Sequence, residues 1–172
     1  MSEVAQSQDD LLGAFRDAMR HVAATVYAVT TGHEGNRFGI LATAVSSLSF
    51  DPPSLLVCIN RTASLHAPLA EAQFFCVNVL GMSNRDVAEH FMSKRADDRF
   101  AVGKWVEVHG VPVLVSAQSS LVCRTAHRHD FGTHSIFIGE LVAAKHRHDA
   151  KPLTYYDRNY IDISEAPQRG ET

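Results

Sequence analysis

The sequence predicts a mainly β protein with a few helices, built as a barrel or a sandwich. Three observations lead there. Short runs rich in Val, Ile, Thr, Phe and Tyr recur along the chain, at residues 25–31, 37–45, 54–60, 73–80, 112–124 and 135–144. Turn-forming clusters punctuate them, notably 32–36 and Asp51-Pro52-Pro53. Only three stretches carry a helical pattern, and two of those are short. Many short strands with few helices are the mark of a closed or doubled β architecture.

Taken in order, Leu11, Leu12, Phe15, Met19 and Val22 recur at helical spacing behind Asp9 and Asp10, which suit a helix N-terminus. This predicts one amphipathic helix. Residues 25–31 are β-branched and aromatic, hence a strand, and 32–36 form a turn into a second strand at 37–45. The nearly unbroken apolar run 54–60 predicts a strand covered on both faces. A short helix is expected at 63–72, a strand at 73–80, and a second short helix at 84–92 with Val87, Ala88 and Phe91 on one side. Residues 93–110 are charged and irregular and read as an excursion loop. Pro112 opens a long run to Arg124. In 135–144, either Ile136 and Ile138 face inward or Ser135, Phe137 and Gly139 do.

At 172 residues the chain is the size of one domain. The expected organisation is a mobile N-terminus at 1–10, one domain over 11–163, and a mobile tail at 164–172, which has no apolar anchor. A 45% hydrophobic and 20% charged composition is that of an ordinary globular protein. Net charge −3 argues against a general nucleic-acid binder. No apolar run approaches the roughly 20 residues that span a bilayer, and the polar N-terminus lacks a signal-peptide core. The expected location is therefore cytoplasmic. Cys58, Cys76 and Cys123 are odd in number, lie in separate apolar runs and form no C-x-x-C pair. They read as buried free thiols, not as a disulfide framework or a zinc site.

The densest chemistry lies in residues 39–64. Thr43, Ser46, Ser47 and Ser49 cluster between two strand-like runs, and Asn60-Arg61-Thr62-Ala63-Ser64 follows. Hydroxyls, free backbone N–H groups and an arginine are what a protein needs to hold a phosphate. A helix starting at 63 would add its N-terminal dipole. The alternative is a polar strand end, with Ser64 only capping that helix. No Gly-x-Gly-x-x-Gly opens a helix after a strand, so a Rossmann site is excluded. Two histidine pairs, His127/His129 and His146/His148, are spaced by two and would each share a strand face. No Glu or Cys stands beside them at ligand spacing, so solvated loop histidines are preferred to a metal site, and no metal is assigned.

Four blocks in order carry a resemblance. They are Thr43-Ala44-Val45-Ser46-Ser47-Leu48-Ser49-Phe50-Asp51-Pro52-Pro53, Phe75-Cys76-Val77-Asn78-Val79-Leu80, Gly132-Thr133-His134-Ser135-Ile136-Phe137-Ile138-Gly139-Glu140, and Pro152-Leu153-Thr154-Tyr155-Tyr156 with Tyr160. Over roughly residues 12–163 the chain resembles the short-chain NAD(P)H:flavin oxidoreductases. These are FMN-binding split-barrel flavin reductases, often the reductase component of two-component flavin monooxygenases.

The resemblance implies a Greek-key-type antiparallel split β-barrel and a homodimer with flavin sites near the subunit interface. It implies an NAD(P)H-dependent reductase that passes hydride to FMN or FAD, with NADH or NADPH as donor, and supplies reduced flavin to a partner monooxygenase. A non-catalytic flavin- or heme-binding split barrel is the alternative. The implied cofactor contacts are Thr43, Ala44, Val45, Ser46 and Ser47 for the ring and ribityl chain, and Asn60, Arg61 and Ser64 for the phosphate. Phe75 enters with its strand, Arg99 and Phe100 as a basic–aromatic pair, and Tyr155, Tyr156 and Arg158 as the closure of the nucleotide pocket. His134 is implied beside the nicotinamide. Thr133 departs from the pattern, which has Asp there, and a threonine supplies no negative charge to bias the imidazole tautomer.

Overall fold

The structure, a computed structural model, describes residues 7–92, 98–149 and 151–163. Helix α1 spans Gln8–Arg20, and its N-terminus is closed by Ser7, whose hydroxyl accepts the Asp10 N–H at 3.1 Å. The helix thus starts inside the stretch expected to be a mobile N-terminus. The remainder of that stretch, residues 1–6, and the tail at 164–172 lie outside the described residues.

Twelve strands follow among the described residues: β1 (Ala24–Thr25), β2 (Tyr27–His33), β3 (Asn36–Ala42), β4 (Val45–Phe50), β5 (Pro53–Asn60), β6 (Phe74–Val79), β7 (Trp105–Val108), β8 (Val111–Leu114), β9 (Ser119–Phe131), β10 (His134–His146), β11 (Leu153–Tyr156) and β12 (Asn159–Asp162). Helix α2 (His66–Glu71) separates β5 from β6, and α3 (Arg85–Phe91) follows β6.

Seven strands form one antiparallel sheet in the order β3-β2-β6-β9-β10-β5-β4. Strands β3 and β4 are its two edges, although they are consecutive in the chain and only Thr43 and Ala44 lie between them. The barrel is therefore split at that point. Unpaired edges leave backbone N–H and C=O groups available to a ligand. A smaller sheet, β1-β11-β12, and the hairpin β7-β8 complete the architecture.

The main core joins Val29, Leu55, Val57, Ile59, Leu65, Leu69, Phe75, Val77, Cys123 and Phe137. In β10 the second of the two possible faces turns inward: Ser135, Phe137 and Gly139 are buried, and Ile136 and Ile138 are only half-buried. A second cluster packs α3 against Phe100 and Trp105, with Phe91 and Phe100 5.5 Å apart and Phe100 and Trp105 5.0 Å apart.

Four sequence expectations change. The strand expected over 37–45 ends at Ala42, and the hydroxyl run forms a strand of its own: Val45–Phe50 is β4, paired with β5. The expected loop 93–110 contains β7, which pairs with β8, while residues 93–97 lie outside the described residues. The run expected to end at Arg124 continues as β9 to Phe131. Its partner β10 supplies a ladder that charged residues can join, because their side chains point to solvent. Helix α2 begins at His66 and not at 63. Its N-cap is Leu65, with no side-chain cap bond, so Ser64, one residue earlier, does not cap it.

Helix α1 buries no residue within the chain. Leu11, Leu12, Phe15 and Met19 are all exposed, as are Phe50 (91%) and Phe131 (78%). The thiols of Cys76 and Cys123 are buried, and burial pushes that of Cys123 up to about 12. Both are packing groups and not nucleophiles.

Candidate functional site

Strand pairing brings distant sequence blocks to one rim of the split. His134 lies directly across from Asn60 in the β10–β5 ladder. The next residue, Arg61, donates its N–H to the Thr133 carbonyl at 2.9 Å. Asn60 Oδ1 accepts both the N–H and the hydroxyl of Thr62 at 2.9 Å, which closes a tight turn and leaves the amide NH₂ free to donate outward. Among the described residues the Arg61 guanidinium hydrogen-bonds only the Gly132 carbonyl, at 3.5 Å, so most of its five donors are left open. Asn60, Arg61, Thr62, Gly132 and Thr133 together line an open cleft of about 510 Å³.

The linker between β3 and β4 lies alongside. The Cys58 N–H donates to the Ala44 carbonyl at 2.9 Å, which ties Thr43–Ala44 to β5 two residues before Asn60. On its other side Thr43 borders two clefts shared with Tyr155. One, about 240 Å³, also includes Tyr160 and Leu41. The other, about 520 Å³, includes Ala44, Arg158 and the α1 residues Arg16 and Arg20. Ala44 has the small side chain that lets a flat ring approach the backbone.

Arg99 bridges these parts. Its Nη1 donates to the Gly39 carbonyl at 2.5 Å and to Ser64 Oγ at 2.9 Å. Its Nε is buried without a partner among the described residues. That atom is shielded from solvent, whereas the Nη1–Ser64 contact is exposed and open to an anion. Exposed Arg61 and the free Asn60 amide fit a phosphate monoester, and the Ser64 hydroxyl with Arg99 Nη1 adds donors four residues further along the chain. The split-barrel linker fits the ring such a phosphate would carry.

Three implied site residues do not join this rim. Phe75 is fully buried in the main core against Gly139 and Cys123, so its ring cannot reach a cofactor. Its place in β6, the central side of the sheet, decides this. Phe100 anchors its loop against Phe91, Trp105 and Gly39 and belongs to the second core cluster. Tyr156 contacts His21 edge-on at 6.1 Å instead of entering the Tyr155 clefts, because neighbouring strand residues point to opposite faces. Val45, Ser46 and Ser47 stay together but border a separate apolar groove of about 400 Å³ with Tyr27, Phe50 and Leu121. The hydroxyl cluster is thus divided between two surfaces.

His134 is exposed, and its Nδ1 lies 2.9 Å from Thr133 Oγ1. The threonine hydroxyl can donate or accept there, so it positions the ring without fixing the tautomer. His127 and His129 share one face of β9, opposite Ile138 and Ile136. His146 contacts Ser119 Oγ at 2.8 Å and stands edge-on to His148. Among the described residues no three His, Cys, Asp or Glu side chains gather as a metal-ligand set.

Sequence reasoning missed a polar chain behind the rim that runs from half-buried His66 through buried Ser135 to exposed Asp130. The Ser135 hydroxyl donates to Asp130 Oδ1 at 2.6 Å, so its oxygen accepts from His66 Nε2, 2.7 Å away. Ser135 is fully buried. The chain ties α2 to the hairpin that presents Thr133 and His134. Burial and the positive charge of Arg128 hold the His66 pKa below its usual value, with Arg61 adding to the effect and Asp130 opposing it. The Ser135 hydrogen bond, with Arg128 and Arg61, lowers that of Asp130.

The folded protein therefore resists a proton that the unfolded chain accepts. The stability His66 contributes is present above about pH 6.5 and is lost as pH falls through its lower folded value. His66→Gln should flatten the drop in Tm between about pH 6.5 and 5, read by thermal unfolding across that range. An unchanged pH profile would remove His66 from this role. Only pairing data could have revealed the chain, since His66, Asp130 and Ser135 form no local pattern.

Comparison with known proteins gives a consistent neighbourhood. The family model described as "Flavin reductase like domain" matches residues 19–164. An FMN reductase (NADH) RutF of Pseudomonas syringae pv. syringae is 43% identical over 157 residues, covering 90% of this chain and 88% of the relative. The solved NADH:FAD oxidoreductase SgcE6 of Streptomyces globisporus C-1027 superposes with a TM-score of 0.86 at 25% identity, over 97% of this chain and 100% of that one. A nitrilotriacetate monooxygenase component B homologue from Mycobacterium thermoresistibile gives 0.86 at 25% identity, over 96% and 94%.

Proposed function

The chain belongs to the flavin reductase-like domain family, and from that premise we propose that it is an NADH-dependent FMN reductase whose reduced flavin serves a separate monooxygenase. The observation that carries this reading is the convergence of Thr43–Ala44, Asn60–Arg61, Ser64 with Arg99, and His134 along one rim of the split barrel. The relative named for FMN and NADH supports that choice of pair. The monooxygenase component among the structural relatives supports the destination of the product.

Bound at this rim, a flavin supplies the redox chemistry, with N5 as the hydride acceptor. The chain supplies position. Arg61, the Asn60 amide and the Ser64–Arg99 pair would hold its phosphate. Thr43 and Ala44, at the open edge, would offer backbone groups to the ring, and the small Ala44 side chain would leave room for it. His134 sits one strand away from Asn60, where it can hydrogen-bond a nicotinamide laid on that ring. No side chain is required as nucleophile or general acid, which agrees with a rim that has arginines and hydroxyls but no catalytic triad. The uncovered apolar faces of α1, Phe50 and Phe131 support a homodimer, since exposed patches of this kind usually mark an association surface.

The test is steady-state oxidation of NADH and NADPH by the purified protein, with and without FMN or FAD. Turnover should require added flavin and should favour NADH with FMN. His134→Ala should raise KM for NADH more than KM for FMN, and equal effects on both would take His134 out of nicotinamide contact.

A further inference from the structure

We propose that His66 is a positioning residue for the turn at Asn60–Arg61, joined to it through Ser135 and the charge of Arg61, and that it takes up a proton from solvent when a phosphate monoester binds there. The inference rests on the reductase reading above and adds a proton linkage to its flavin site.

His66 is tied to the turn along two routes. The first is backbone. The Ala63 N–H donates to the Asn60 carbonyl and the His66 N–H to the Ala63 carbonyl, both at 2.9 Å, so two successive turns carry the chain from Asn60 to the ring. The second route crosses the sheet. Ser135 stands opposite Ile59 of β5 and Asp130 of β9, one register place from the pair His134 and Asn60. Its hydroxyl oxygen accepts from His66 Nε2 at 2.7 Å, and Thr133, two residues before it, accepts the Arg61 N–H. The ring is thus connected to both walls of the cleft that Asn60, Arg61, Gly132 and Thr133 line.

The same bonds decide where a proton can go. Ser135 gives its own hydrogen to Asp130 Oδ1 at 2.6 Å, so Nε2 carries the hydrogen of the neutral His66 ring. The other nitrogen, Nδ1, has no hydrogen-bond partner among the described residues and is the atom left to accept a proton. From β10 the ring meets the Ser135 hydroxyl and the uncharged Phe137 ring, which stands edge-on at 5.7 Å. The charged groups that act on it are Arg128 and Asp130 of β9 and Arg61 after β5. Arg128 and Asp130 pair with each other at 3.3 Å and oppose one another at His66. Arg61 forms no ion pair among the described residues, and its guanidinium meets a neutral carbonyl. A phosphate on Arg61 would supply the missing counter-charge and relieve the repulsion between Arg61 and a protonated His66.

Anion and proton then assist each other. Without ligand, burial and the charges of Arg128 and Arg61 keep the ring neutral to lower pH than usual. With phosphate bound, the ring protonates at higher pH than in the free protein, and by reciprocity the proton tightens phosphate binding. The gain is present at low pH and is lost as pH rises through the value in the complex, so its window lies around and below about pH 6.5.

The experiment has two arms, both on the full chain. In the first, NMR follows the His66 ring of the wild type from about pH 5 to 8, around its ordinary titration range. The protein is titrated alone, with saturating FMN, and with riboflavin, which has the same ring without phosphate. FMN should raise the midpoint and riboflavin should not. In the second, fluorescence titration gives the Kd of both flavins at about pH 7.5 and 5.5, on either side of that range, for the wild type and His66→Gln. Glutamine keeps a donor for Ser135 and removes the titrating nitrogen. A phosphate monoester itself titrates near about pH 6, and comparing the two proteins cancels that contribution. On going from the higher pH to the lower, the wild-type FMN Kd should fall about threefold or more relative to that of His66→Gln. Riboflavin should show no such difference. The first arm needs no variant, so it stands if His66→Gln does not fold.

An equal His66 midpoint with and without bound FMN, or the same FMN Kd ratio in both proteins, would overturn the inference and leave the reductase reading intact. A midpoint raised equally by riboflavin would overturn it as well, because the ring and not the phosphate would then be the cause. A wild type that binds no FMN at either pH would sink the flavin reading and the inference with it.

Discussion

Arg61→Ala should weaken FMN binding by about 1.5–3 kcal/mol, roughly a ten- to hundredfold rise in Kd, while NAD⁺ affinity stays near wild type. The guanidinium is exposed and among the described residues makes only a 3.5 Å hydrogen bond to Gly132, so its removal has little to disturb in the fold. The turn is held by other groups: Asn60 Oδ1, which accepts twice from Thr62, and the Arg61 backbone N–H, which the substitution keeps. The whole effect should therefore appear in flavin affinity, with Tm unchanged. Titration by quenching of flavin fluorescence reads it directly. Wild-type affinity would place the phosphate elsewhere, with the Ser64–Arg99 pair the next group to remove.

The largest effect on stability is expected from Gly139→Ala. A Cβ at this position would lie 2.5 Å from Phe75 Cζ and 2.6 Å from Cys123 Cβ, both fully buried. Neither neighbour is the loose end of a flexible chain. Phe75 is wedged in the main core, and Cys123 Cβ is fixed to the β9 backbone. Overpacking a core of native density costs about 1–3 kcal/mol and sometimes more, and here the upper end applies. For a chain of this size that corresponds to a fall in Tm of roughly 6–12 °C. Combining it with Phe75→Leu should recover part of the loss, because the two sites share one space. Equal Tm for wild type and Gly139→Ala would mean that β10 and β6 do not pack as described.

The same glycine shows how far the sequence could be read. Alternation in 135–144 predicted a strand and left open which face turned inward, since Ile136 and Ile138 are as apolar as Phe137. The answer comes from Gly139, whose missing side chain accommodates the Phe75 ring, and from Ser135, whose hydroxyl is matched by Asp130 and His66. Both facts involve partners more than 60 residues away in sequence or across a strand, and no local pattern encodes them. The first helix, the run 54–60 and the strand 73–80 were legible because each carries its own periodicity or an unbroken apolar core. Strand β7 was not. Its four residues include Glu107, and they are held by pairing with β8 and not by their own burial.

The site divided along similar lines. Asn60 and Arg61 were legible as residue types suited to phosphate, His134 came only with the resemblance, and their meeting follows from the β5–β10 ladder. The hydroxyl run was read as one unit, yet strand alternation and the barrel's split send Thr43–Ala44 to one surface and Val45–Ser47 to another. Phe75 and Phe100 entered as candidate cofactor contacts through the resemblance, and an aromatic ring serves a core and a flavin equally well. Only burial tells them apart.

The central claim is that this rim brings reduced nicotinamide and flavin together for hydride transfer. The most direct measurement is anaerobic mixing of the protein with stoichiometric FMN and NADH while the visible flavin absorbance is followed. The account predicts rapid, complete bleaching that Arg61→Ala slows at limiting FMN and that His134→Ala slows at limiting NADH. Bleaching no faster than that of free FMN with NADH, under conditions where titration shows both molecules bound, would contradict it.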